Sequence, residues 1–385
     1  MIYKLRDYQQ QASDKAVSFF QSNTKKNAIM VLPTGSGKSL IIADIANRLT
    51  GYTLVFQPSK EILEQNFKKL CSYGVFDCSI YSASFNSKKI SRITFATIGS
   101  VKGHPELFNH FQNILIDECH LVNPKQGMYK TFFEHLNCKI LGLTATPYRL
   151  ASNNFGSTLR FITRTRPRIF SDVIYQVQVR TLLNQGFLAE LQYFQLDVMD
   201  ERNLNPNSTG ADYTDKSVLR EFERIDFYSF LVNTIQRLLN PHSGRKPKGI
   251  LVFTRFLKEA ERLTYSIPNC AIVSGDTPKK TREIILRRFK SGEIKVVANV
   301  GVLTTGFDYP ELDTIVLARP TMSLALYYQM VGRAIRPCKG KDGWIVDLCG
   351  TYKRFGKVED LVLTEPKKGQ WQIESNGKQL TNTYY

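Results

Sequence analysis

Short apolar runs recur along the chain at intervals that leave room for a helix between them. In the first half they are Ala28 to Leu32, Thr53 to Phe56, Cys78 to Tyr81, Ile93 to Ala96, Asn113 to Ile116 and Ile140 to Leu143. Helix-like segments such as Glu61 to Leu70 and Tyr129 to Leu136 separate several of them. Near-continuous apolar strands alternating with helices predict a parallel sheet covered on both faces. A helix from Leu5 to Phe20 precedes this sheet, with Tyr8, Ala12, Ala16 and Phe19 or Phe20 near helical spacing for burial.

From Tyr148 to about Arg224 the pattern loosens. Basic Arg160 to Arg168, a helical stretch at Val177 to Gln185 and the polar segment Asp200 to Lys216 predict a hinge and a mobile loop around Asn203 to Asp215. Alternation resumes with Ile250 to Phe253, Ala271 to Val273, Lys295 to Val300, Thr314 to Ala318 and Trp344 to Asp347. After Thr364 the chain is polar and lysine-rich, which predicts a peripheral or mobile tail. The expected organisation is a first α/β domain over residues 1–165, a hinge and second α/β domain over 166–363, and a polar tail over 364–385.

At 385 residues, 42% of them hydrophobic, the chain can bury two cores. A formal charge of +18 changes the picture: it attracts a polyanion, with nucleic acid the leading candidate and a solvated basic surface the plain alternative. Seven cysteines lie scattered without a C-x-x-C pair or a histidine spacing that would hold zinc, and so read as reduced thiols. No apolar run approaches a membrane span and no apolar leader opens the sequence, which predicts a cytoplasmic protein without a membrane partner.

The candidate chemistry gathers at strand ends, where open α/β sheets bind ligands. Leu32-Pro33-Thr34-Gly35-Ser36-Gly37-Lys38-Ser39 lies between the first apolar run and the helical pattern Leu40 to Leu49. A strand, a glycine-bearing turn and a helix start make a phosphate cradle. Amides of Gly35, Ser36, Gly37 and Lys38 would face the anion, Lys38 would reach the β- and γ-phosphates of ATP, and Ser39 would hold magnesium (Mg2+). The general pattern G-x-x-x-x-G-K-[ST] has glycine where this chain has Leu32. Asp117-Glu118 ends another apolar strand. There Asp117 would hold magnesium, directly or through water, and Glu118 would orient and deprotonate the attacking water. Alone, the pair would equally read as a solvated strand end.

In the second half, Gln329-Met330-Val331-Gly332-Arg333-Ala334-Ile335-Arg336 follows the helical run Leu324 to Tyr328. Arg333 and Arg336, three apart, are expected on one helix face, where they read either as arginine fingers or as a surface pair. Asn299 to Asp308 is a strand running into a small-residue loop. Its hydroxyls and amides would touch a phosphate backbone and Asp308 a ribose hydroxyl, although a tight turn has the same appearance.

In this order the segments resemble superfamily 2 helicases and translocases of the DEAD/DEAH type, with Asp-Glu-Cys-His at residues 117–120. Leu5 to Gln9 resembles the adenine-reading segment, Leu32 to Ser39 motif I, Pro58 to Gln65 motif Ia and Thr97 to Ser100 motif Ib. Asp117 to His120 is similar to motif II and Thr144 to Pro147 to motif III. Leu251 to Arg255, Asn299 to Asp308 and Gln329 to Arg336 are similar to motifs IV, V and VI. Leu-Pro-Thr-Gly-Ser-Gly-Lys-Ser, Gly-Leu-Thr-Ala-Thr-Pro, Val-Leu-Thr-Thr-Gly-Phe-Asp and Gln-Met-Val-Gly-Arg-Ala-Ile-Arg resemble bacterial RadD-type proteins. Those usually carry a cysteine-rich C-terminal extension, which these residues do not contain.

The resemblance implies two tandem RecA-like α/β domains with parallel sheets and an ATP cleft between them. It implies that Gln9 pairs with the adenine edge and that Arg6 lies near the base. Pro33, Thr34, Gly35, Ser36, Gly37, Lys38 and Ser39, with Asp117, Glu118, Gln329, Arg333 and Arg336, would surround the triphosphate and magnesium. Gly306 and Asp308 would complete the nucleotide contacts. Ser59, Lys60, Thr97, Gly99, Ser100, Thr254 and Thr304 match positions that touch the nucleic-acid backbone, and Thr144 and Thr146 those that link the ATP site to that groove. The implied protein is a monomer acting on nucleic acid, DNA in preference to RNA, in repair, recombination or replication-linked processing. Repair or single-strand-binding proteins are candidate partners, and DNA action would make it nucleoid-associated. Two alternatives stand beside helicase action: an ATPase that remodels complexes without strand separation, and an ATP-gated nucleic-acid clamp. A P-loop kinase would leave the second sheet and Gln329 to Arg336 without a purpose.

Overall fold

The computed structural model describes residues 4–153, 156–196, 198–208, 210–303 and 309–382. Two compact units divide the chain. One is formed by Met1–Arg149, Arg160–Gln178 and Leu363–Ile373, the other by Leu150–Leu159, Val179–Val362 and Glu374–Tyr385.

In the first unit, α1 (Asp7–Gln21), β1 (Ala28–Val31), α2 (Lys38–Arg48), β2 (Thr53–Phe56) and α3 (Lys60–Cys71) come first. Then follow β3 (Cys78–Ser82), β4 (Ser87–Lys88), β5 (Ile93–Ala96), α4 (Ile98–Val101), β6 (Asn113–Asp117), α5 (Met128–Phe133) and β7 (Lys139–Thr144). A ribbon of β8 (Tyr148–Asn153) and β9 (Gly156–Phe161) intervenes before β10 (Asp172–Gln176). The sheet order is β10-β1-β7-β6-β2-β5-β3-β4, parallel throughout except for the β3–β4 pair. The sheet therefore takes in residues beyond 165, because β10 pairs with the outer side of β1.

Every residue of β1, β2, β5 and β6 is buried, as expected of parallel strands covered on both faces. On one face α2 contributes Ile41, Ile42, Ile45 and Ala46, and α3 contributes Leu63 and Leu70, packed with Met30, Val55, Leu115 and Leu143. Each such fully buried aliphatic side chain stabilises the fold by roughly 1.5–3 kcal/mol before entropy is counted. The order of the strands decides the site. Val31 stands level with Thr144, Asp117 stands level with Leu143, and Leu32 N–H donates to Thr144 O at 2.9 Å. The carboxyl ends of β1, β7 and β6 are thus side by side.

The second unit, to which Leu150–Leu159 of the β8–β9 ribbon belongs, continues with α6 (Val179–Asn184) and β11 (Leu191–Gln195), then α7 (Asp215–Arg224), α8 (Phe227–Leu239), β12 (Ile250–Thr254) and α9 (Leu257–Ser266). It continues with β13 (Cys270–Ser274), α10 (Lys279–Lys290), β14 (Val296–Val300), β15 (Thr314–Ala318), α11 (Leu324–Val331), β16 (Gly343–Asp347) and α12 (Thr351–Phe355). Its sheet is wholly parallel in the order β11-β16-β15-β12-β14-β13. None of the described helices is long and apolar enough to cross a membrane.

Two expectations from sequence are corrected here. The described residues of the polar stretch around Asn203 to Asp215 are tied down rather than loose. Leu204 and Tyr213 are buried, Pro206 and Tyr213 form a bridge, and Asp212 accepts from the Met322 amide at 3.0 Å. Arg255 adds hydrogen bonds to Asp215 at 2.8 Å and to Tyr213 O at 2.6 Å. The described part of the expected tail, residues 364–382, is also structured. Glu374 pairs with Gln379 and Ser375 with Lys378 around Asn376-Gly377, both at positive φ (48° and 76°), and Leu380 is buried. Two adjacent left-handed residues of this type suit the turn of a tight hairpin.

Glu259 offers a stability test. It is fully buried in the first turn of α9, where Oε2 accepts the Phe256 N–H at 3.0 Å and Oε1 has no partner among the described residues. Burial pushes its carboxyl from 4.5 up to about 7. A raised carboxyl pKa favours the folded state below the unfolded value, and that advantage disappears as pH rises from 4.5 toward 7. Glu259→Gln keeps the cap and removes the charge. Its stability relative to the parent should increase between pH 4.5 and 7 by on the order of 3 kcal/mol, readable in parallel urea titrations. A difference that is flat with pH would reject the buried charge as its source.

Candidate nucleotide site and nucleic-acid edge

The turn after β1 is built around two left-handed glycines, Gly35 at φ 84° and Gly37 at φ 78°. Gly37 caps α2, and a Cβ there would lie 2.5 Å from Gln9 Nε2, so both conformation and space require glycine. The first turn of α2 leaves backbone donors without intrahelical acceptors, where an anion is favoured. Ser36 Oγ is buried and without a partner among the described residues, as fits a loop shaped to take an oxyanion. The Ser36 amide is not part of that cradle, since it donates to Pro33 O at 3.2 Å.

Helix α1 braces this loop. Tyr8 OH donates to Ser36 O at 2.7 Å, and Gln9 Nε2 donates to the same oxygen at 2.9 Å. Gln9 Oε1 accepts the Arg6 amide at 3.0 Å. Both ends of the Gln9 amide are thus engaged within the protein, and the side chain is only 3% exposed. Tyr8, read from sequence as a core position, is a strut of the loop; helical spacing signalled its burial but not its hydroxyl's partner.

The carboxylates lie beside this turn. Lys38 Nζ is 3.6 Å from Glu118 Oε1 and 3.4 Å from Leu32 O. Glu118 adopts the left-handed region at φ 50°, a conformation that costs a non-glycine residue on the order of 1 kcal/mol and marks the end of β6. Asp117 is 6% exposed. Burial, with Glu118 next to it, pushes its carboxyl up to about 7 against the pull of Lys38 and the hydrogen bonds from the Glu118 amide and Asn66. A cation arriving at this carboxylate would relieve that penalty.

Motif III residues join the cluster through His120. Its Nδ1 lies 3.4 Å from Glu118 Oε2, 2.9 Å from Thr144 Oγ1 and 3.0 Å from Thr146 Oγ1. Cys119 turns inward over Gly142, where a Cβ would stand 2.6 Å from the cysteine Cβ and Sγ. Sequence reasoning quoted His120 without a role, because its threonine partners are distant in the chain and adjacent only through the β6–β7 pairing.

In the first unit, the residues matched to nucleic-acid contacts follow β2 and β5, which are neighbours in the sheet. Ser59 caps α3 by accepting the Ile62 amide at 3.3 Å, and Lys60 donates to Ser84 O with its Nζ 4.6 Å above the Phe85 ring. Thr97 and Ser100 hydroxyls are 3.0 Å apart, Ser100 Oγ accepts the Ala83 amide at 3.0 Å, and Gly99 is exposed with open space where a Cβ would sit.

In the second unit Thr254 is 1% exposed and donates to Asn299 O at 3.3 Å, so its hydroxyl is turned into the fold. Gln329 lies on α11, but Arg333 and Arg336 do not continue its face. The helix ends at Val331 with Gly332 as cap, and the Arg333 and Ala334 amides turn back to Met330 O and Val331 O. Pro337 then disfavours helix at Arg336. Arg333 is buried and Arg336 half-buried in that turn. Thr304, Gly306 and Asp308 lie outside the described residues.

Residues 2–149 match the domain family "Type III restriction enzyme, res subunit" and residues 231–338 the "Helicase conserved C-terminal domain". The chain is 25% identical to a 51.5 kDa protein of a Lactococcus phage over 82% of this chain and 64% of that protein. It is also 25% identical to the putative ATP-dependent helicase IRC3 of Saccharomyces cerevisiae, over 90% of this chain and 51% of that one. To the DNA 3'-5' translocase XPB2 of Sulfurisphaera tokodaii it is 25% identical, over 90% and 81% respectively. The chain therefore spans 64% and 51% of the length of the first two relatives. Its fold is similar to the DNA-bound Type ISP restriction-modification enzyme LlaBIII (TM-score 0.67, 18% identity, 91% of this chain and 28% of that one). It is also similar to RNA-bound Dbp5 of S. cerevisiae (TM-score 0.60, 15% identity, 90% and 83%). The two domain-family matches thus follow one another in order, the first within the first unit and the second within the second, on a fold of two RecA-like α/β units.

Proposed function

We propose that the protein is an ATP-dependent nucleic-acid helicase or translocase, acting on DNA in preference to RNA. The observation that carries this reading is the meeting of Lys38, Asp117 and Glu118 beside a glycine-built phosphate turn, with His120 joining them to Thr144 and Thr146. The donor set fits a magnesium nucleotide, which would supply charge neutralisation and an in-line leaving group. Ser39 and Asp117 would hold the metal. Lys38 draws the transferring phosphoryl group toward positive charge, and Glu118 takes a proton from the attacking water.

Gln329, Arg333 and Arg336 serve the same phosphoryl group from the second unit, and Arg6 and Gln9 border the base. Ser59, Lys60, Thr97, Gly99 and Ser100 contact the nucleic-acid backbone. Thr254 is a weaker member of that set because its hydroxyl is engaged inside the fold. Functional lobes near 1–165 and 166–363 are part of this reading, with β10 counted in the first. DNA is supported by the relatives named as a DNA translocase and, in phage T4, an ATP-dependent DNA helicase. Within the superfamily, the Asp-Glu-Cys-His motif and the quoted motif sequences support a RadD-type branch. Work in the cytoplasm at the nucleoid follows from DNA action.

The test is ATPase rate and binding against matched single-stranded, duplex and branched DNA and RNA, over a salt series, with strand displacement followed in parallel. Nucleic acid should stimulate hydrolysis. If cationic side chains neutralise phosphates, log affinity should fall linearly with log salt by roughly 0.7 to 0.9 per phosphate contacted. Binding flat with salt would return the +18 charge to a solvated surface.

A further inference from the structure

On the buried face of α3, Leu63, Asn66 and Leu70 follow helical spacing, and only the middle residue is polar. Asn66 is 1% exposed. An asparagine inside a helix and away from water is unfavourable unless its amide is used. Its Nδ2 donates to Gln57 Oε1 at 2.9 Å and to Asp117 Oδ2 at 3.3 Å. Gln57, also 1% exposed, follows β2 as Asp117 closes β6, and Phe56 is level with Ile116, so the two side chains leave neighbouring strands together. The other carboxylate oxygen, Asp117 Oδ1, accepts the Glu118 amide at 3.0 Å. One oxygen is therefore fixed by the chain itself and the other by Asn66.

The network is open at its far side. Asn66 Oδ1 and Gln57 Nε2 are buried with no protein partner among the described residues. A pair present only to satisfy one another would close on itself. These instead reserve an acceptor and a donor next to the carboxylate read above as a metal holder. Helix α3 also begins at Ser59 and Lys60, so the amide at Asp117 and the edge assigned to nucleic acid ride on one rigid element.

We infer that Asn66 is a positioning residue for the reaction: it orients Asp117 toward the metal and carries contact at the Ser59–Lys60 edge to that carboxylate through α3. The inference rests on the helicase reading. A ligand-holding carboxylate depends on such neighbours for orientation, and their loss typically weakens metal affinity or activity 10- to 100-fold.

The experiment uses the full chain and Asn66→Leu, which keeps the branched heavy-atom skeleton and removes the donor. Mn2+ affinity is measured by electron paramagnetic resonance with a non-hydrolysable ATP analogue, with and without single-stranded DNA, beside ATPase kcat and KM. In the parent protein, DNA should tighten Mn2+ binding. Asn66→Leu should lower Mn2+ affinity roughly 10- to 100-fold, abolish the DNA response, and reduce kcat more than it raises KM. A merely structural role would shift the melting temperature and leave the DNA response of the metal intact. If Asn66→Leu does not fold, Asn66→Ala carries the same comparison. Parent-like Mn2+ affinity and DNA response in the folded variant overturn the role of Asn66 alone. Absence of Mn2+–nucleotide binding in the parent overturns the helicase reading, and this inference with it.

Discussion

Lys38→Ala should eliminate ATP turnover, by roughly 10²- to 10³-fold or more, while nucleic-acid binding without nucleotide persists. Lys38 lies within 4 Å of Glu118, at 3.6 Å, and its charge opposes the burial that raises Asp117. Removing it therefore acts twice. The phosphoryl oxygens lose a cation where charge develops, and Asp117 holds its proton more tightly, which disfavours the metal. The first-unit residues assigned to nucleic acid follow β2 and β5, whereas Lys38 follows β1, so the variant should bind single-stranded DNA in the absence of ATP much as the parent does. Steady-state ATPase and filter binding check both halves. Turnover at the parent rate would remove Leu32 to Ser39 from the site.

What the sequence revealed, and what it concealed, follows from how far apart interacting residues lie. Central strands were legible because β1, β2, β5 and β6 are buried on both faces and read as unbroken apolar runs. The edge strand β10 was not, since Asp172-Val173-Ile174-Tyr175-Gln176 is mostly half-exposed and mixes polar with apolar residues. Asn376-Gly377 is a local hairpin signal, but the lysine-rich polar surroundings disguised it as a tail. At the site, motif residues were legible by type and order. Their supports were not: Tyr8 under Ser36, His120 against Thr144, and Asn66 on Asp117 are pairings across the sheet or between elements, with no fixed spacing along the chain. The shared helix face expected of the arginine pair failed for a local reason. Three-residue spacing implies a shared face only while the helix lasts, and Gly332 ends it.

Arg336→Ala should retain ATP binding and lose nearly all nucleic-acid-stimulated hydrolysis. An arginine that completes the transition-state charge is worth on the order of 10³ to 10⁵ in rate. The loss should not come from unfolding. Arg336 is half-buried in a turn held by its backbone, where Ala189 N–H donates to Ile335 O at 2.8 Å, and this bond survives the substitution. Glu118→Gln should also stop hydrolysis, but for a different reason: it keeps the side chain's size and removes the carboxylate that takes the water's proton. On the proposed reading, ATP then stays bound with the proposed arginine contacts intact, and the protein should stay on nucleic acid for a longer time than the parent. If Arg336 acts as proposed, Arg336→Ala lacks one of the charges that favour the ATP-bound state, and its complex with nucleic acid and ATP should dissociate faster than that of Glu118→Gln. Off-rates measured with ATP present separate the two variants even though both are inactive. If Arg336→Ala hydrolyses ATP at the parent rate, the second unit has no part in phosphoryl transfer, and the P-loop unit must act alone.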